Sequence, residues 1–207
     1  MDKDKDKDID IERFLYGEGD RCLKPEKGHM LIAEPMLSES VFRRSAVLLL
    51  DVDKDQGHLG LVLNKPAGFT LRDIIPEWEG GENVPVFQGG PVDRTRLFML
   101  HTLGDRFAGS QEVVPGLYVG GKIEDIMEYI SDGHPEDGAL RFFLGYSGWT
   151  RDQLQSEVLR NSWAVETNPE GPELLKGEGD EYWRRCVARL GDQYRSWLVV
   201  PPSVWMN

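Results

Sequence analysis

The chain has 207 residues, 40% of them apolar and 10% aromatic, and carries a net charge of −12 from 24 basic and 36 acidic residues. That length suits one domain with a real core, or a domain plus a tail. Such an acidic surface repels phosphate backbones, which disfavours nucleic-acid binding without a dense basic patch; Arg43-Arg44 and Arg184-Arg185 are isolated pairs that read as solvated faces or ion pairs.

In chain order, residues 1–26 form a polar lead-in that opens on alternating Asp and Lys, a pattern that buries nothing and predicts disorder. It lacks the apolar centre of a signal peptide. The folded part, 27–207, begins near Gly28. Short apolar runs then predict strands at Met30–Ala33, Ala46–Leu50, Leu59–Leu63, Val84–Phe87, Leu97–Leu100, Leu117–Val119, Leu140–Leu144 and Trp197–Val200. Several, such as Val47-Leu-Leu-Leu50, are apolar at every position, which implies burial on both faces. The polar stretch Asp51–Gly57 is short enough to join the first strong pair as an antiparallel hairpin.

Helices are expected between the strands. Thr70-Leu-Arg-Asp73 and Thr150-Arg-Asp-Gln153 carry capping-box patterns. Ile123–Ser131 sets Ile123, Ile126, Met127 and Ile130 on one face. Tyr182, Trp183, Cys186, Val187 and Leu190 form a C-terminal apolar stripe stopped by Gly191. Gly80–Glu82 and Gly177–Asp180 read as surface loops. Together these predict an α+β domain with a mixed, mostly antiparallel sheet. Cys22 and Cys186 make no disulfide framework, which fits a reducing cytoplasm. No stretch reaches the roughly 20 apolar residues of a membrane helix.

Three motifs imitate catalytic or ligand loops. Asp51-x-Asp53-x-Asp55 opens like a calcium loop but has Gln56 and Val62 where that loop needs Gly and a bidentate acid. Gly116–Ile123 nearly spells a phosphate loop, but Ile123 replaces the hydroxyl that holds magnesium, so the segment reads as a strand turning through Gly120-Gly121 into a helix. Gly145-Tyr-Ser-Gly-Trp149 resembles a nucleophile elbow, with Trp149 where the turn wants Gly and all four histidines preceding Ser147. A hydrolase reading would unite Ser147, His101 and Asp93 or Asp152. A lone histidine after an apolar strand is otherwise a hydrogen-bonded structural residue. The histidines and cysteines lack metal-ligand spacing, so neither metal nor cofactor is expected.

Three islands of Gly, Pro and aromatic residues stand beside hydrophobic runs: Gly60–Pro66, Phe87–Val92 and Leu144–Trp149. They predict tight turns at element ends where main chain lies open to a ligand. The expected binding residues are Asn64, Lys65 and Pro66; Gly89, Gly90 and Pro91; Gly145, Tyr146, Ser147, Gly148 and Trp149; and His101. Gln153 and Glu157 share one helix face and form either an internal polar clamp or one wall of a groove. Six tryptophans, Trp78, Trp149, Trp163, Trp183, Trp197 and Trp205, are many for a small core, so some are expected at an interface between copies of the chain.

These islands, with Leu31–Leu37, Phe42–Leu50, Leu100-His101 and Asn161-x-Trp163, make the chain resemble the AlgH/YqgE family of bacterial proteins from about residue 28 onward. The sequence departs from the family pattern at Thr150-Arg-Asp152 and at Gln155, where relatives carry Glu. The resemblance implies a single domain with a strongly bent, split sheet approaching a barrel and flanked by helices. It implies a cytoplasmic bacterial protein and, through the family name, a link to transcription of exopolysaccharide genes. It brings no substrate, cofactor or catalytic residue. A non-enzymatic regulatory or binding protein acting through a small metabolite or protein partner is therefore the leading expectation. A hydrolase and a direct DNA-binding regulator are the alternatives.

Overall fold

Residues 24–53, 57–78, 83–134 and 138–201 are described by a computed structural model. The polar lead-in up to residue 23, which includes Cys22, and Trp205, the Gly80–Glu82 turn and Asp55 lie outside the described residues. The strands are β1 (Met30–Ala33), β2 (Ala46–Asp53), β3 (Gly57–Val62), β4 (Pro66–Thr70), β5 (Pro85–Gln88), β6 (Val92–His101), β7 (Gln111–Val114), β8 (Leu117–Val119), β9 (Leu140–Trp149) and β10 (Trp163–Glu166). The α-helices are α1 (Leu71–Ile74), α2 (Ile123–Ser131), α3 (Arg151–Leu159), α4 (Gly179–Arg189) and α5 (Arg195–Val199).

The strands run in the order β10-β1-β2-β3-β9-β6-β8-β7, and a side arm of β4 and β5 joins at β9. Every pairing is antiparallel except β5 with β9. The result is a mixed α and β fold around a curled, mostly antiparallel half-barrel.

Alternation along the uniformly apolar strands sends residues to two separate cores, because successive side chains leave a strand on opposite faces. Met30, Ile32, Leu48, Leu61 and Leu63 pack with Tyr182, Trp183, Cys186 and Val187 of α4. Leu31, Ala33, Val47, Leu49 and Val62 pack with Leu154 and Val158 of α3. A third core gathers Val86, Met99, Leu140 and Phe142 with Ile126, Tyr129 and Ile130 of α2. Double-sided burial, read from Val47–Leu50, is thus the work of helices on both faces.

Three expectations need correction. Trp197–Val200 lies largely within helix α5, not a strand. Tyr194, Trp197 and Leu198 pack against the first core at i, i+3 and i+4, a helical spacing that outweighs the β-branched composition. Gly179 and Asp180 are the first turn of α4 rather than loop. Trp78, Trp149, Trp163 and Trp183 are buried in the core, so among the described tryptophans only the half-buried Trp197 remains open to the interface reading. The third island is not a turn, because β9 continues unbroken through Trp149.

Candidate functional site

The three glycine-rich islands meet at one junction, and β9 is its axis. Its first half pairs in parallel with β5, from Val86↔Phe142 to Gln88↔Leu144. Its last residues pair instead with β3, from Gly60↔Ser147 to His58↔Trp149. Leu144–Ser147 is therefore where β9 passes from one half of the sheet to the other. Gly89 spans the gap: its N–H donates to the Leu144 carbonyl and its carbonyl accepts from the Val62 N–H, both at 2.8 Å. The Gln88 N–H donates to the Lys65 carbonyl at 2.8 Å, tying in the first island.

Backbones touch here, which is why side chains are absent. A Cβ at Gly89 would stand 2.2 Å from the Gly145 carbonyl oxygen, and one at Gly90 would stand 2.2 Å from the Tyr146 carbonyl carbon. Gly145 itself has φ of +70°. Such contacts and angles are open only to glycine.

Much of this junction is closed on itself. Ser147 is fully buried and its hydroxyl donates to the Gly89 carbonyl at 3.2 Å. Asn64 is also fully buried. Its Oδ1 accepts from the Ala46 N–H at 3.1 Å, and its Nδ2 donates to the carbonyls of Arg44 and Gly179 at 3.0 and 2.8 Å. Lys65 is half-buried and its Nζ donates to the Arg43 carbonyl at 2.6 Å. Burial lowers the Lys65 pKa, with Arg43 and Arg44 adding to the effect and Asp180 opposing it. Pro66 and Pro91 are exposed, and Tyr146 is half-buried with its ring against Phe98.

On one side the junction opens. Ala67, Phe69, Gln88, Gly90, Arg94 and Leu144 line a recess of about 330 Å³. Ala67 and Phe69 come from the side-arm strand β4. Arg94 comes from an arch in β6, which advances five residues between Val92↔Tyr146 and Leu97↔Leu144 while β9 advances two. The arch is held by the Thr95 hydroxyl donating to Asp93 Oδ1 at 2.9 Å, with Asp93 at φ of +42°.

The remaining expected residues lie elsewhere. His101 pairs with Leu140 on β9, seven residues from Ser147, or roughly 20 Å along a strand. Its Nε2 lies 2.8 Å from Ser110 Oγ, and its Nδ1 accepts from the Leu103 N–H at 3.3 Å. Ser110 donates its own proton to the Phe107 carbonyl at 2.8 Å. Nε2 therefore carries the hydrogen and donates, so His101 is not placed as a base toward either serine. Burial pushes its pKa down to about 4. The proposed trio of Ser147, His101 and an acid is thus not assembled: Asp93 holds Thr95, and Asp152 sits exposed in the first turn of α3.

Gln153 and Glu157 form the polar clamp. Gln153 Nε2 donates to Glu157 Oε1 at 2.9 Å, while Trp149 and Trp163 both donate to Glu157 Oε2. Glu157 also borders a second recess of about 220 Å³ with Phe42, Arg160 and Trp163, whereas Gln153 does not line it.

Sequence reasoning missed two buried arginines, since charged side chains are expected outside. Arg141 donates to the carbonyls of Leu63 and Leu175 at 3.0 and 2.6 Å and covers the Phe87 ring. Arg44 pairs with Asp180, donates to the Val200 carbonyl and lies 4.0 Å from the Trp183 ring centroid. Among the described residues no group of His, Cys, Asp and Glu is placed to hold a metal ion. Nor is any helix among them long and apolar enough to cross a membrane.

A family model described as AlgH-like matches residues 30–195. A UPF0301 protein of Parabacteroides distasonis is 39% identical over 184 residues, covering 88% of this chain and 92% of the relative. One from Bacteroides thetaiotaomicron is 40% identical over 183 residues with the same coverage. The solution structure of the AlgH protein from Pseudomonas aeruginosa matches with a TM-score of 0.66 and 25% identity, over 84% of this chain and 94% of that one. A crystal structure of a Corynebacterium diphtheriae protein matches with a TM-score of 0.69 over 86% and 94%, and at 19% identity it bears on the fold alone.

Proposed function

The chain belongs to the AlgH-like family, and from that premise we propose that it is a non-enzymatic regulatory protein that acts by binding a ligand or partner at the junction recess. One observation carries the reading. Three islands far apart in sequence converge on one junction, the second and third of them line its concavity through Gln88, Gly90 and Leu144, and among the described residues no acid, base and nucleophile are assembled there. Rigid, self-bonded main chain around an open recess is preorganised to recognise and has nothing with which to react.

Any link to transcription runs through that ligand or partner in this reading, not through direct DNA contact. The net charge is −12, and the basic pairs are engaged within the fold: Arg44 with Asp180, Arg184 with the Leu198 carbonyl and Arg185 with the Lys176 carbonyl. The protein acts in the cytoplasm, where a buried free thiol such as Cys186 stays reduced.

The test is a titration of ¹⁵N-labelled protein with fractionated bacterial metabolite extract and with cytosolic protein fractions. Saturable shifts confined to the amides of Phe69, Gln88, Gly90 and Leu144 are the expected result. Turnover of generic ester or phosphate substrates that Ser147→Ala abolishes would overturn it.

A further inference from the structure

We infer that the junction recess takes a small carboxylate-bearing molecule with an apolar body, its carboxylate on Arg94 and its body against Phe69 and Leu144. This rests on the reading of the recess as a binding site and names the chemistry of its occupant.

Size comes first. At about 330 Å³ the recess stands at the low end of the range for small-molecule sites, roughly 300–1,000 Å³, too small for a dinucleotide. Its walls come next. Ala67, Phe69 and Leu144 are apolar, and Phe69 keeps 37% of its surface open. An exposed ring on the wall of a concavity gains about 25 cal/mol for each Å² that a ligand covers.

Charge sets the ligand's polar end. The chain has twelve more acidic than basic residues, yet no carboxylate lines this recess. Its one charged group is Arg94, which makes no ion pair among the described residues. The adjacent acid, Asp93, is held by the Thr95 hydroxyl. A guanidinium presents a planar fork that fits a carboxylate through two parallel hydrogen bonds. The arch that carries it is pinned by ladder pairs on both sides, so its backbone loses little freedom on binding. Gln88 adds a carboxamide whose only side-chain bond among the described residues is a long one, 3.5 Å to the Pro66 carbonyl, leaving it available to the same ligand.

A peptide laid along the open edge of β4 is the competing occupant. It would use the β4 backbone and would leave Arg94 without a defined role, so the small molecule accounts for more of the site.

Three probes of one shape separate the terms: 4-phenylbutanoate, 4-phenylbutanamide and 4-phenylbutylamine, each titrated into the ¹⁵N-labelled full chain. The acid is expected to shift the amides of Phe69, Gly90 and Leu144 saturably. The amide should bind there about tenfold or more weakly, and the amine weaker still. Arg94→Gln should bring the acid down to the affinity of the amide without altering the amide's own, and Phe69→Ala should weaken both. Both residues are exposed, and unchanged urea midpoints confirm that the variants fold. Equal binding of acid, amide and amine at these amides would overturn the carboxylate assignment and leave the recess as a site. Absence of shifts with all three probes would overturn the proposal, while the extract titration separately judges whether the recess binds anything. Shifts running along the whole of residues 66–70 with a blocked acidic peptide, stronger than those with 4-phenylbutanoate, would replace the small molecule by a protein partner.

Discussion

Trp149 and Trp163 donate their indole N–H groups to the same oxygen, Glu157 Oε2, at 2.9 and 2.8 Å. The two rings meet edge to face with centroids 5.9 Å apart, and Phe42 packs against both. One carboxylate on α3 thus ties the end of β9 to the start of β10. Glu157→Ala leaves two buried N–H donors without an acceptor and should cost about 3 kcal/mol. Glu157→Gln keeps an acceptor oxygen and loses the charge, so its cost should be about half as large. Urea midpoints measure both, and the two indole N–H resonances should move together in each variant.

Asn64 offers a test whose size depends on pH. Its amide nitrogen faces two carbonyl oxygens, so Asn64→Asp would set a carboxylate oxygen against the carbonyls of Arg44 and Gly179. The loss at pH 7.5 should be about 3 kcal/mol or more, because an unpaired buried charge replaces a satisfied amide. An acid so placed has a folded pKa raised above its unfolded value near 3.9, and only its protonated form can donate. The deficit relative to the parent should therefore shrink as pH falls from 7.5 towards 4.5. Paired urea titrations at those limits check it, and a deficit independent of pH would contradict this account of Asn64.

Much of the fold was legible because apolar runs and capping residues are local signals. β1, β2, β3 and β9 announce themselves through runs of apolar residues, and Thr70 and Thr150 mark their helices. β4 did not, since Pro66-Ala-Gly-Phe-Thr70 has loop composition and is exposed over much of its length. The convergence of the islands was not legible in this way. It depends on β9 changing neighbours at Leu144–Ser147, a long-range pairing that no local pattern encodes. Arg94 was not singled out for the same reason: its importance comes from the β6 arch that sets it beside Phe69. Gly145–Trp149 misled as a nucleophile elbow because a sheet crossing and a catalytic turn make the same demand for residues without bulk.

Histidine burial should weaken the fold in acid. Desolvation lowers the pKa of His29, His58 and His101, the last to about 4. Protonating His101 at Nδ1 would turn it against the Leu103 N–H that it now accepts. A histidine whose folded pKa lies below its unfolded value near 6.5 leaves stability intact above that pH. It removes stability as pH falls, here through the window from about 6.5 to 4. The loss approaches about 1.4 kcal/mol per pH unit for each such group held fully neutral. Urea midpoints at pH 7.5, 6 and 5 should fall in that order. His101→Gln should lower stability at pH 7.5 and flatten the slope below 6.5, and an unchanged slope would show that His101 does not set it.

Two glycines of the junction should respond to alanine in opposite directions, although they are close in space. A Cβ on Gly89 would sit 2.2 Å from the Gly145 carbonyl oxygen and 2.8 Å from Leu61 Cδ2. The first of these is backbone on the central strand and cannot turn aside as a side chain could. Gly89 also holds both sheet halves through its N–H and carbonyl, so displacing it breaks the bonds to Leu144 and Val62. Gly89→Ala should therefore cost about 3 kcal/mol or more, or prevent folding. Gly148 is exposed on β9, has no positive φ, and its Cβ would meet the Tyr146 ring at 3.5 Å and Val92 Cγ2 at 4.0 Å, both ordinary contacts. Gly148→Ala removes unfolded-state entropy without a clash and should stabilise by about 0.5 kcal/mol. Thermal and urea unfolding of the pair measure the contrast. Equal effects would mean that the junction yields where the close approach of Gly89 to Gly145 says it cannot.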